Sequence, residues 1–234
     1  MSFATFGTGI TSLILLPVLS IVFDVLLGSD LSSPDLVRIG YAAALVSLAA
    51  TAANGIVNAV AADRNLGIFQ EVFTRRRFDP AYWVSVAIVP GIFSLITGAV
   101  TLTMVFLFSP DHNIQLLTRV LVLAFFSLIC GLLLGVAAAG IGVNLPDPYL
   151  GGTILTSTLP ILAGVIVPVS DYPTWLAALG WVTPLSGVTA SLTDPDFILV
   201  AKDFALAIIW CTIGVISTRH AMKRLRSGIR RDVL

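Results

Sequence analysis

The sequence predicts an all-α integral membrane protein of about six spans, and three observations lead there. Several stretches of roughly 18–28 residues hold almost no charge, close to the ~20 that a helix needs to cross ~30 Å of hydrocarbon. The 234-residue chain is 57% hydrophobic and 11% charged, with mean hydropathy +0.99, whereas a soluble domain carries about 25% charged residues. Nearly every Arg lies between or after the apolar runs. This length leaves no room for a large soluble domain beside the spans. A formal net charge of zero gives no support to a nucleic-acid partner.

The first expected span covers about 8–28. It has no basic n-region and no small-residue cleavage site, and Pro17 interrupts it, so it reads as a span rather than a signal peptide. Gly28–Asp35 reads as a loop, followed by a second span at about 37–62. A polar segment at 63–80 precedes the third span at about 82–108. Ser109–Leu116 is a loop, then comes the fourth span at about 117–144, in which Gly131, Gly135 and Ala139 form a small-residue packing ridge. Asn144–Tyr149 is a loop with Pro and Asp signals. The fifth span, about 150–169, is short and holds Thr153, Thr156, Ser157, Thr158 and Pro160. The sixth covers about 200–219. Cys130 and Cys211 each fall inside an apolar run and read as buried small hydrophobes, with no disulfide framework and no metal-pair spacing.

Basic residues orient the spans. Arg64, Arg75, Arg76 and Arg77 follow the second span. Arg219, Lys223, Arg224, Arg226, Arg230 and Arg231 end or follow the sixth. Placing both groups in the cytoplasm leaves Arg38, Arg119 and Lys202 outside, and puts both termini inside a plasma or inner membrane. Arg dominance over Lys with abundant Ala agrees with a bacterial origin.

The missing chemistry is equally informative. Glu71 is the sole Glu, and His112 and His220 are the two His. No metal-ligand spacing occurs. No Gly precedes either Lys, so an ATP-cradling Gly-Lys loop is absent. Asp24 is the one acid read as well inside a span, near its outer end. A self-sufficient pump is disfavoured, and energy for uphill movement should come from a partner.

The segment 63–80 is a contact candidate for such a partner. Leu66, Phe69, Val72 and Phe73 make one apolar stripe on a helix, and Glu71 precedes Arg75 by four, the favourable order for a helical pair. Two roles stay open for it: an interfacial helix with its Arg cluster at anionic headgroups, or a helix offered to a cytoplasmic protein. In the second span Ser47, Thr51, Asn54 and Asn58 share one helix face. That face either bonds to neighbouring helices, at ~0.6 kcal/mol per contact, or meets a wet cavity. Thr153 and Ser157, one turn apart, are weaker candidates for the same path.

The chain resembles the type 2 family of ATP-binding-cassette (ABC) exporter permeases. That family has an acidic-Arg-x-x-Gly-Thr stretch after its second span, and Asp63-Arg64-Asn65-Leu66-Gly67-Ile68 fits it with Ile68 in place of Thr. Before the last span the family shows Pro, a short gap, Pro-x-Trp-Leu, then a further Pro. Pro168, Pro173, Trp175, Leu176 and Pro184 match it. The resemblance implies six transmembrane helices, a cytoplasmic coupling helix at about 63–80, and short outer re-entrant or interfacial helices at about 171–192. It implies a second permease subunit (homo- or heterodimer) and two cytoplasmic ABC ATPase subunits that bind the ATP and Mg, with no cofactor in this chain and no catalysis by it. Gly67, Phe69, Glu71, Val72, Phe73 and Arg75 would couple to the ATPase. Phe69, Val72 and Phe73 would bury in its cleft, with Glu71 and Arg75 at the flanks. Ser47, Thr51, Asn54, Asn58, Thr153 and Ser157 would line the path of a small or amphipathic cargo such as a drug, peptide or lipid. Many family members carry an amphipathic helix before the first span. Here the span begins within about eight residues of Met1, which sets the resemblance against a polysaccharide cargo. The alternative is a non-transporting scaffold or regulatory subunit that docks a partner through 63–80.

Overall fold

The computed structural model describes residues 11–75 and 79–226, without the side chains of residues 12, 13, 74, 75 and 224–226. Among the described residues the chain is helical and has no strand. A π turn, Thr11–Leu15, runs into α1, Leu16–Asp30, with Pro17 just past the junction. Helix α2, Leu36–Asn65, starts at Asp35, whose carboxylate accepts from the Arg38 N–H at 2.8 Å. It ends before Gly67, which turns the chain at φ +77°. Helix α3, Ile68–Arg75, follows. Helix α4, Pro80–Phe108, is capped by Asp79, and α5, Ile114–Gly142, by Asn113. Then come α6, Leu150–Leu162, a 3₁₀ turn at Val169–Asp171, α7, Thr174–Val182, α8, Ser186–Ala190, and α9, Phe197–Arg226.

Four helices are long and apolar enough to span: α2, α4, α5 and α9 through Lys223. The expectation of six full-length spans is therefore not met by length among the described residues. The first expected span appears as a helical run Thr11–Asp30, with residues 8–10 outside the described part. The fifth is corrected. Its helix has 13 residues and stops at Leu162 rather than 169. At 1.5 Å per residue that is about 20 Å, short of the hydrocarbon thickness. The stop is a Schellman ending: Val165 N–H donates to the Pro160 carbonyl at 3.2 Å and Gly164 N–H to Ile161 at 3.0 Å, with Gly164 at φ +72°.

Helix α2 is the hub. In its most apolar window 72% of residues are buried, against 22–50% in the other three long helices. Helices α1, α4, α5 and α6 all pack on it, and α5 also packs on α9. Its Ala-rich surface lets neighbours approach to backbone contact. A methyl placed on Gly131 would lie 2.5 Å from the Ala49 carbonyl oxygen, and one on Gly135 would lie 2.8 Å from the Ala53 Cα. The sequence-predicted ridge is thus the α5–α2 seam. Gly55 similarly makes room for the ring of Pro90, inside α4. Buried hydroxyls stitch the seams: Ser94 Oγ donates to the Leu48 carbonyl at 2.5 Å, and Ser127 Oγ to Leu45 at 2.6 Å.

The contacts sort the helix termini into two ends. At the first, Arg64 of α2 donates to the carbonyls of Gly142 (3.3 Å) and Leu145 (2.8 Å), just where the α5 dipole ends. At the second, Arg38 donates to Gly164 (2.9 Å) and Val165 (3.3 Å), and Arg119 to Leu192 (3.1 Å). Each of these Arg meets carbonyls at a helix ending or turn, groups that lipid could not satisfy. The Tyr172 hydroxyl, beside Arg38, donates to Ile161 at 2.5 Å, and partial burial raises its pKa above the ordinary phenol value.

The glycine seam yields a paired test. Gly131→Ala should lower the stability of the detergent-solubilised chain by about 1–3 kcal/mol, because the new methyl meets backbone. Gly91→Ala makes the same chemical change where the nearest atoms are Leu132 methyls at 3.9 Å. It should be neutral or stabilising by about 0.5–1 kcal/mol. Thermal unfolding followed by circular dichroism reads both, and a matched loss in the two variants would contradict this packing.

Candidate functional site

The helices position two sites, one within the bundle and one at the Arg64 end. Helices α1 and α6 both pack on α2 but make little contact with each other. Between them lies a cleft of about 160 Å³. Three of the four residues of the polar stripe line it: Ser47, Thr51 and Asn54. The sequence spacing put these on one face; the fold turns that face toward a cavity rather than into a helix seam. Asn58, one turn further, is exposed and outside the cleft.

The opposite walls hold residues that the sequence did not single out for this role. Helix α1 contributes Ser20 and Asp24, and α6 contributes Thr156. Thr153 and Ser157 are exposed and do not line the cleft. Each of the two makes a hydrogen bond back to its own helix. The choice among the hydroxyls of α6 depends on which face docks, and Gly152 decides that. A methyl there would lie 2.5 Å from Asn54 Oδ1, so bare Gly152 brings α6 against α2 at the stripe. Thr156, one turn on, is also exposed but borders the cleft.

The second site is α3. Gly67 opens it in the left-handed region, and nothing lies within 4 Å of a methyl placed there. The glycine is needed for backbone conformation, not for space. The expected burial of Phe69 and Phe73 in a partner is corrected here. Both are 1% exposed within this chain. Phe69 lies 4.6 Å from Phe73 and 5.7 Å from Tyr82, and Phe73 meets Tyr82 at 5.4 Å and Trp83 at 6.4 Å between ring centroids. Val72 packs beside them against a cluster that also includes Ala221 and Met222 of α9. The Tyr82 hydroxyl donates to Asp63 Oδ2 at 2.8 Å. The physical reason is amphipathicity: α3 had an apolar face and the start of α4 offered Tyr82 and Trp83 to cover it. The outward face holds Leu66, Ile68, Gln70 and Glu71. Leu66 is therefore off the buried stripe. The Arg75 side chain, Arg76 and Arg77 lie outside the described residues, and so does the expected Glu71–Arg75 pair.

Asp203 is a second acid inside a helix that the sequence reading passed over. It lies in α9 and is fully buried. Its Oδ2 accepts from the Val188 N–H at 2.8 Å, at the start of α8. Lys202 Nζ sits 3.3 Å from its Oδ1 as an ion pair, donates to Ser186 Oγ at 3.0 Å and lies 4.1 Å over the Trp181 ring. The adjacent Lys202-Asp203 pair was the available signal. Its work is to fasten α7 and α8 to α9. Among the described residues no group of His, Cys, Asp and Glu could hold a metal ion.

The aromatic cluster predicts the behaviour of a variant. Phe73→Ala should destabilise the isolated, detergent-solubilised chain by about 3–5 kcal/mol, the usual cost of emptying a buried Phe site. Ile68→Ala, on the exposed face, should change stability by less than about 0.5 kcal/mol. Equal, small effects on thermal unfolding would mean that Phe73 is not part of the core.

Comparison with known proteins bears on what these sites serve. No curated protein and no solved structure matches the chain. A family model described as ABC-2 type transporter matches residues 1–194, which takes in the cleft, α3 and the turns and short helices through α8. With a match over most of its length, this multi-pass membrane protein belongs to the ABC-2 type transporter family, as a membrane subunit that works with an ATPase and is not itself the ATPase.

Proposed function

We propose that the chain forms the translocation path of an exporter for a small or amphipathic cargo, and that the cleft between α1, α2 and α6 is part of that path. The observation that carries this is the gathering of Ser47, Thr51 and Asn54 with Ser20, Asp24 and Thr156 around a cleft between three otherwise apolar helices. Polar side chains at membrane depth are costly unless they meet protein or water, and here they share open space. A cavity of about 160 Å³ is smaller than the ~300–1,000 Å³ typical of ligand pockets. It suits part of a molecule, or one half of a path completed by a second permease subunit.

In this proposal the Arg64 end is cytoplasmic, both termini lie inside the plasma or inner membrane, and two ABC ATPase subunits bind below a pair of permeases. ATP and Mg belong to those subunits. Helix α3 is the coupling helix. Its buried face ties it to α2, α4 and α9, and its outward residues Leu66, Ile68, Gln70 and Glu71 meet the ATPase. ATPase closure would push on α3, and the aromatic cluster would pass that displacement to the starts and ends of three long helices. This division of labour supports a rigid lever rather than a loose tether.

Two outcomes test the proposal. Thr51→Leu fills the cleft without touching α3, so the complex reconstituted in vesicles should keep its ATPase yet lose most cargo movement. Normal movement would refute the path. At the coupling helix, Leu66→Ala with Ile68→Ala should weaken ATPase capture at least about tenfold, which corresponds to 1.4 kcal/mol, while chain stability is unchanged. Unaltered capture would leave α3 as a structural element only. Full ATPase capture with no cargo movement by the wild type would favour a scaffold.

A further inference from the structure

We infer that the cleft takes a monocation, and specifically the primary ammonium end of an amphiphilic amine, with Asp24 as its counter-charge. The inference rests on the cleft being part of the cargo path and adds the chemical class of what enters it.

Three features of the site point to that class. Asp24 lines the cleft, and among the described residues its carboxylate makes no hydrogen bond or ion pair. The basic residue at that end of α2 is occupied elsewhere, because Arg38 is held by the Gly164 and Val165 carbonyls. An unpaired acid at membrane depth costs several kcal/mol, so it is a site that an arriving cation would relieve. Asp203 shows the contrast. That buried acid is paired with Lys202 and bonded to Val188 N–H, and its role is spent within the fold.

Thr51 and Thr156, which line the same cleft, add acceptors to it. Thr51 Oγ1 gives its proton to the Ser47 carbonyl at 2.8 Å, and Thr156 Oγ1 gives its proton to Gly152 at 2.8 Å. With those protons committed to their own helices, both oxygens present lone pairs to the cleft. An ammonium has three donors and no acceptor. It can pair with the Asp24 carboxylate and donate to such oxygens in the lining, whereas an anion would meet the Asp24 charge. Size agrees as well. About 160 Å³ holds a head group but not a drug-sized body. The rest of the molecule would lie along the apolar surfaces flanking the opening.

The test uses dansylcadaverine, a fluorophore on a pentylammonium tail, and the matching alcohol, N-dansyl-5-aminopentanol, which is neutral at nearly the same size. Each is titrated by fluorescence anisotropy against the purified complex of this chain and its ATPase in nanodiscs, without ATP. The charged probe should bind at least about tenfold more tightly. Asp24→Asn should erase that preference, and Asp24→Glu should keep it. Equal binding of the two probes by the wild type, no binding of dansylcadaverine, or a preference that survives Asp24→Asn would each overturn the inference. Thr51→Leu separates this failure from failure of the path itself. If it weakens both probes while the wild type ignores charge, the cleft stands and the cation does not. If it leaves both probes unaffected, the cleft falls, and the inference with it.

Discussion

Backbone contact between α2 and α5 is the constraint on which the rest depends. It exists because Gly131 and Gly135 have no side chain and because α2 offers Ala49 and Ala53 opposite them. In lipid the hydrophobic effect gives helices little reason to associate, so close van der Waals packing must do so. Once α5 is seated, α9 packs on its far side and α4 joins α2 through Gly55 and Pro90. The hub position of α2 follows, and it has a consequence for polarity. A helix largely enclosed by its neighbours can carry Ser47, Thr51 and Asn54 at membrane depth while keeping each of them partly buried.

The same seating decides where the open space lies. Helices α1 and α6 are shorter than the other membrane helices and pack on α2 without closing on each other. Gly152 sets how close α6 comes, and Arg38 holds the turn that ends it. The cleft is therefore a product of two short helices against one long one. Its polar lining comes from two consecutive helices and from α6, far from them in the chain.

At the two ends, charge serves a structural purpose more than a topological one. Arg38, Arg119 and Lys202, the three basic residues expected on the side away from Arg64, are each engaged with turns and short helices at their own end. Arg64 does the same for the end of α5. A count of basic residues sees only side, whereas the contacts show that these four are tied down by carbonyls or a hydroxyl. The aromatic cluster around Phe73 is the apolar counterpart, fixing α3 to the helices above it.

Much was legible in the sequence because it depends on local chemistry. Apolar run length gave the long helices, and the i, i+4, i+7 spacing grouped Ser47, Thr51 and Asn54. The small-residue ridge at Gly131 and Gly135 was readable as packing, though not against which helix. Three things were decided only by tertiary structure. The apolar stripe of α3 could not say whether its cover was a partner or the chain itself, and Tyr82 and Trp83 covered it. The hydroxyls of α6 could not say which of them bordered the cleft, since rotation about a helix axis is set by neighbours, and Gly152 selected Thr156. Asp24 and Asp203 are both acids within apolar runs, and only Asp203 has a basic residue beside it in the chain. One found partners and the other found a cleft, because an acid's role depends on what the fold brings within reach of its oxygens.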